Sequence, residues 1–227
     1  MQFLDDISAL EALYGTPGEA ALSKVTDHLS PAYRRWIEAS RFCVLASVGP
    51  EGTDASPRGD DGPVVAVLDA RTLALPDWRG NQRLDSLRNI IRDGRISLTF
   101  LVSGSDTVMR VNGTARVTAD KDLRARFARN GKSPATVIVV QIGEVYPQCA
   151  RAVMRADLWN GARAQDLPSI GDMLREVRQG FDGATYDREW PARAAKSLWW
   201  AAHPCGWHDP LDRIGAAKPD LALILLP

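Results

Sequence analysis

The sequence predicts a mainly β fold, an antiparallel barrel with flanking helices, on three observations. Apolar and polar residues alternate in short runs, as in Ile96, Leu98, Phe100 and Val102 against Ser97 and Thr99. Turn clusters such as Gly49-Pro50-Glu51-Gly52 and Ser103-Gly104-Ser105-Asp106 separate those runs at hairpin distances. Only two short helical patterns interrupt six or seven predicted strands, which favours hairpin connections over the alternating crossovers of a parallel α/β sheet.

Along the chain, residues 1–40 read as helical, with Leu4, Ile7, Leu10, Leu13 and Tyr14 on one face and a second segment opening on Pro31. Both are expected to cover the sheet. Residues 42–48 and 53–57 form a first hairpin, and 63–69 and 72–76 continue the strands around a turn at Ala70-Arg71. Leu84, Leu87, Ile90 and Ile91 recur at helical spacing, with Gly94 as the stop. Residues 96–102 and 107–118 give another hairpin, 120–130 a surface helix, and the β-branched run 135–142 a buried strand. Residues 145–159 are expected to add a further strand. The chain divides into a barrel domain, 1–160, and a helical extension, 161–227, with helices from Ile170 and over 187–200. The extension ends in the apolar run Leu221 to Leu226, which must be buried on the barrel or against a partner.

Composition narrows the function classes. A chain of 227 residues with 45% hydrophobic content can bury a real core, and 28 basic residues balance 28 acidic ones. No basic excess points to nucleic acid or an anionic membrane, so the expected partner is a small molecule. Three cysteines, Cys43, Cys149 and Cys205, give neither an even set nor a CxxC pair, which fits a reducing cytoplasm. Residues 1–6 carry early acids without a long apolar core, so no signal peptide is read there, and Asn112-Gly113-Thr114 is an unused glycosylation pattern.

Two polar clusters bracket the apolar run at 64–75: Ser56-Pro57-Arg58-Gly59-Asp60, and Pro76-Asp77-Trp78-Arg79-Gly80-Asn81-Gln82-Arg83. Arginine supplies a planar fork of donors, glycine permits close backbone approach, and a helix beginning near Asn81 would aim its positive end at a bound anion. Arg79 and Arg83 would share one side of an opening helical turn. A phosphomonoester suits such a cradle better than pyrophosphate, since no GxGxxG turn is present. The competing reading of Arg79, Asn81 and Arg83 is a solvated charged loop.

The order of these clusters, SPRGD on a strand end, Leu75-Pro76-Asp77 on the next, then Gly80 to Ile90 as GNQRLDSLRNI on a helix, with Cys149 to Trp159 late, resembles the pyridoxamine 5′-phosphate oxidase-like split-barrel flavoproteins over residues 10–160. It is closest to a branch with SPRGD and GNxRxDSLxN motifs. The resemblance implies a split β-barrel that binds FMN across a two-fold homodimer interface. It implies that Asn81 and Arg83 hold the phosphate, with Arg79 and Gly80 beside them. Ser56, Pro57, Arg58, Gly59, Pro76 and Asp77 would line the ribityl chain and ring edge, and Trp159 would flank the flavin or plug the core. It also implies an oxidoreductase working by hydride transfer at flavin N5, with NAD(P)H a possible donor. A non-catalytic binder of flavin, deazaflavin or haem on the same barrel is the alternative. The vitamin-B6 oxidases carry an arginine and a histidine close together after their last strand, whereas Arg155-Ala156-Asp157-Leu158-Trp159-Asn160 has no histidine, which argues against pyridoxine phosphate oxidation.

Other clusters have plainer readings beside the functional ones. His203, Cys205, His208 and Asp209 are zinc-binding residue types in a loop broken by two prolines and a glycine, without a standard ligand spacing. Trp190, Trp199 and Trp200 read as packing or as interface anchors. Asp60 and Asp61, adjacent on a strand, would point to opposite faces and cannot act jointly.

Overall fold

The structure is a computed structural model, and it describes residues 1, 3–80, 82–161 and 167–197, with the side chains of 194–197 left out of account. The chain forms two compact units, residues 1–158 and a second beginning at Trp159.

The first unit is built on seven antiparallel strands: β1 (Phe42–Gly49), β2 (Gly52–Gly59), β3 (Ala66–Asp69), β4 (Thr72–Asp77), β5 (Arg95–Leu101), β6 (Val108–Thr118) and β7 (Thr136–Gln148). They hydrogen-bond in the order β2-β1-β5-β6-β7-β4-β3. The alternation read from the sequence decides which residues face inward: Cys43 and Leu45 on β1, Leu73 and Leu75 on β4, Ile96, Leu98 and Phe100 on β5, Ile138, Val140 and Ile142 on β7 are all buried in one core. The sheet curls until its two ends meet. Arg58, on the edge strand β2, forms an ion pair with Asp77 on β4, one strand in from the opposite edge. A side-chain contact replaces a hydrogen-bonded ladder across that seam, which makes the barrel a split one.

Close backbone approach explains two glycines. A Cβ on Gly113 would lie 2.1 Å from the Gln141 carbonyl, where the β6–β7 register shifts between Asn112 and Gly113. A Cβ on Gly49 would meet the Asn89 side chain at 2.3 Å. That contact lets helix α4 (Asp85–Arg92) settle on β1, with Ser86, Leu87, Asn89 and Ile90 buried.

Among the flanking helices, α1 is Ile7–Tyr14, α2 Glu19–Ser23 and α3 Pro31–Ala39. Ser30 caps α3 by accepting from the Tyr33 N–H at 3.2 Å, and Ile37 on it is fully buried. Only α3 covers the barrel as expected. No residue of α1 is buried, so the expectation that the Leu4 to Tyr14 face covers the sheet is corrected. Residues 121–125 form α5 (Lys121–Ala125), shorter than expected. The strand expected over 145–159 is corrected too: 145–148 finish β7, and α6 (Arg151–Ala156) follows.

The second unit holds α7 (Ile170–Val177) and α8 (Gly183–Ser197). Asp187 accepts from the Gly171 N–H at 2.9 Å and from Ser169 Oγ at 2.5 Å, which ties the start of α7 to α8. The expected features at 198–227, including Trp199, Trp200, His203, Cys205, His208, Asp209 and the apolar tail, lie outside the described residues. Among the described residues no helix is long and apolar enough to cross a membrane, and no group of three or more His, Cys, Asp or Glu is placed to hold a metal.

Candidate functional site

The period-2 alternation that builds the core also builds a cleft. On β2, Asp54, Ser56 and Arg58 turn toward the barrel, opposite Ser47, Leu45 and Cys43 of β1, while Thr53, Ala55, Pro57 and Gly59 are exposed. Across the seam, Asp77 ends the inward row of β4. The loop after it and the first turn of α4 supply the remaining wall. The result is a cleft of about 430 Å³ that brings together Ser56, Pro57, Arg58, Asp77, Gly80 and Arg83.

Arg58 and Asp77 form the floor. Their side chains are 19% and 12% exposed, and the pair closes the polar end of an otherwise apolar interior. Cys43, the cross-strand neighbour of Arg58, is fully buried, and desolvation pushes its thiol up to about 12 against the opposing pull of the Arg58 charge. Three buried side-chain atoms without a hydrogen-bond partner surround this end: Arg58 Nε, Asp60 Oδ1 and Thr136 Oγ1. Thr136 is the register partner of Asp77, and Asp60 accepts from the Trp78 indole N–H at 3.1 Å, so all three flank the Asp77–Trp78 segment. Asp60 Oδ1 also faces the Arg129 guanidinium at 3.8 Å, and of the three only Arg58 lines the cleft. An unpaired buried polar group costs about 1–3 kcal/mol, so the Arg58 Nε marks a place shaped for something polar to bind.

The wall is more labile. Arg83 is held by Asp85 at 2.8 Å, a pair in which the arginine side chain is 75% exposed, and that carboxylate raises the guanidinium pKa further. Asp54 accepts from Ser86 Oγ at 2.5 Å. Every cleft carboxylate therefore has a donor: Asp54 has Ser86, Asp77 has Arg58, Asp85 has Arg83. An incoming anion would compete with Asp85 for the exposed Arg83 far more readily than with Asp77 for the enclosed Arg58.

The helix at the cleft begins at Asp85, not near Asn81. Gln82 and Leu84 adopt left-handed backbone, φ 63° and 62°, which breaks the helical path before it starts. Arg79 and Arg83 therefore do not share a helical turn, and Arg79 is exposed outside the cleft lining. No side chain caps α4, and its first-turn residues Asp85, Ser86 and Leu87 face the cleft, so the positive helix end does reach it. Gly59 is exposed and Pro76 buried, both outside the lining. Asn81 lies outside the described residues. Trp159 opens the second unit and is 39% exposed. Sequence reading missed Asp54 and Ala55, and gave no site role to Trp78, Gln82, Leu84, Asp85, Ser86 or Leu87 although they fall in its clusters; the alternation through Ser56 and Arg58 could have found Asp54, two residues before Ser56.

The family model described as pyridoxamine 5′-phosphate oxidase matches residues 29–149, which span β1 to β7 and every described polar residue of the cleft. The chain belongs to the pyridoxamine 5′-phosphate oxidase family. Solved structures similar to it include a Group A Streptococcus HupZ, at 15% identity and a TM-score of 0.44, covering 52% of this chain and 93% of that one. A putative pyridoxamine 5′-phosphate oxidase from Lactobacillus delbrueckii has 23% identity and a TM-score of 0.42, covering 53% and 95%. A protein from Mycobacterium smegmatis described as FAD binding has 12% identity and a TM-score of 0.37, covering 54% and 97%. A search of the curated proteins gives no match.

Proposed function

We propose that this chain is an FMN-dependent oxidoreductase acting on a small organic molecule in the cytoplasm, and that it works as a homodimer with the cofactor at the interface. The observation that carries the reading is the cleft itself, where an enclosed Arg58 with an unpaired Nε, the Ser56 hydroxyl and the uncapped start of α4 converge with the exposed Arg83. Its volume lies within the range of small-ligand sites, and Pro57, Trp78, Leu84 and Leu87 add apolar surface for a ring. The residues present fit a flavin mononucleotide: Arg83, with Asn81, would hold the phosphate, while Ser56 and Arg58 would face the ribityl chain and ring edge. FMN, when bound, supplies hydride chemistry at N5. Arg58 would stabilise negative charge developing on the ring edge, and Asp77 would hold its guanidinium in place for that task. NAD(P)H is a suitable electron donor.

A second reading, a flavin or deazaflavin carrier without turnover, is favoured by one feature. All three cleft carboxylates are engaged by donors, leaving no free acid or base among the described lining residues. Haem fits less well, because the described lining has no histidine, cysteine, methionine or tyrosine to serve as an axial ligand. Purified protein is expected to be yellow and to release FMN on denaturation. A colourless protein that ignores added FMN would refute the flavin reading, and the absence of turnover with NADH, NADPH and a panel of acceptors would leave the carrier.

A further inference from the structure

Helix α1 presents an apolar stripe that none of the described residues of its own chain covers: Ile7 is 68% exposed, Leu13 69% and Tyr14 82%. The surrounding residues 1–23 carry Asp5, Asp6, Glu11 and Glu19 and no lysine or arginine. On the cleft rim, α4 has the complementary character. Its buried face uses Ser86, Leu87, Asn89 and Ile90, and its outer stripe runs Leu84, Arg88, Ile91, with Leu84 47% and Ile91 73% exposed. Arg88 has no ion-pair partner among the described residues. Leu84 also sits in left-handed backbone, a costly conformation for a bulky side chain and one that collects at functional surfaces.

We infer that α1 of a second copy docks along α4, apolar stripe to apolar stripe, with its acidic flank against Arg88. The two helices are matched in length at eight residues each, which allows one antiparallel or parallel pairing over their full extent. The exchange is reciprocal, so two copies close under a two-fold axis without leaving either stripe exposed. Leu84 lines the cleft, so the docked helix adds the partner's apolar side chains to the cleft rim. The inference rests on the homodimer proposed above and assigns it a surface; it is independent of what the cleft binds.

Sedimentation velocity of the full chain over a concentration series tests it. The double variant Leu10→Ser/Leu13→Ser is expected to raise the dimer dissociation constant about tenfold or more with an unchanged thermal melt, because these positions are exposed in the single chain. Glu11→Arg and Arg88→Glu should each weaken the dimer a few-fold, and the combination should return it to within about twofold of the parent. A dimer whose constant ignores all of these changes overturns the docking while leaving the homodimer intact. Loss with the serine variant but no restoration by the charge swap overturns the α4 seat. A chain that stays monomeric at every concentration overturns the homodimer and the docking together, whatever its flavin content.

Discussion

The middle and the end of the barrel are made by the same strands with opposite chemistry. The inward row of β4 reads Leu73, Leu75, Asp77, and its register partners on β7 read Val140, Ile138, Thr136. Two steps of apolar packing are followed, at the third, by a carboxylate and a hydroxyl. On the far side of the seam Arg58 meets Asp77. The pleat therefore carries a dry core directly into a polar cleft, and the rigidity of the first positions the second. The largest effect is expected from the middle. Phe100 is fully buried, and Phe100→Ala should cost about 3–5 kcal/mol in urea unfolding, through lost transfer energy and a cavity. A loss under about 1 kcal/mol would break the contrast, since the middle would then be no better packed than the rim.

The floor is intermediate. Asp77→Ala leaves the Arg58 guanidinium enclosed without its carboxylate and should destabilise by about 3 kcal/mol. Replacing both residues, as Arg58→Met with Asp77→Leu, should recover most of that stability while removing flavin retention, because the apolar row is then simply extended by one step. Equal damage from the single and the double variants would mean that the ion pair is itself the closure of the barrel.

How much of this was legible in advance follows from the same physics. Alternation is a local signal, so the inward rows of β1 and β5 could be read directly from Cys43, Leu45, Ile96, Leu98 and Phe100. The register shift where β6 runs beside β7 is not local: Gly113 and Gly143 lie 30 residues apart, and the break in pattern at Gly143 made one long strand read as two. The start of α4 was misplaced because Gly80 and Asn81 look like a helix entrance. The backbone turns left-handed at Gln82 and Leu84, which composition does not announce. The pairing of Arg58 with Asp77 joins strands from opposite ends of the sheet order and depends on how far the sheet curls. The fold was thus readable from short-range pattern, and the cleft only as two clusters whose meeting the barrel had to supply.

The rim should respond in binding alone. The Arg83 side chain is 75% exposed and its pair with Asp85 is a surface one, so Arg83→Ala should leave the urea midpoint unchanged. Its FMN dissociation constant should rise about tenfold or more, from the loss of a charge-assisted contact to phosphate. Adding Asn81→Ala should deepen the loss, and unchanged affinity in the double variant would refute the phosphate assignment.

The smallest perturbation separates the regions without altering any residue. Cys43 sits in the core beside the floor, its thiol raised to about 12 by desolvation, and Cys149 lies exposed after β7. The Cys149 thiol is lowered, first by the Arg151 backbone N–H, which outweighs desolvation, with the Gln148 side chain and the Arg151 and Lys24 charges adding to it. Since the thiolate is the reacting form, alkylation of Cys149 should rise with pH and level off below the range of an ordinary free thiol. Cys43 should stay unlabelled across that range until the barrel unfolds. Peptide mapping after iodoacetamide treatment reads both sites in one sample. Labelling of Cys43 in the folded protein would mean that the core beside Arg58 opens to solvent, and the seam closed by the Arg58–Asp77 pair would then be a breathing edge of the barrel.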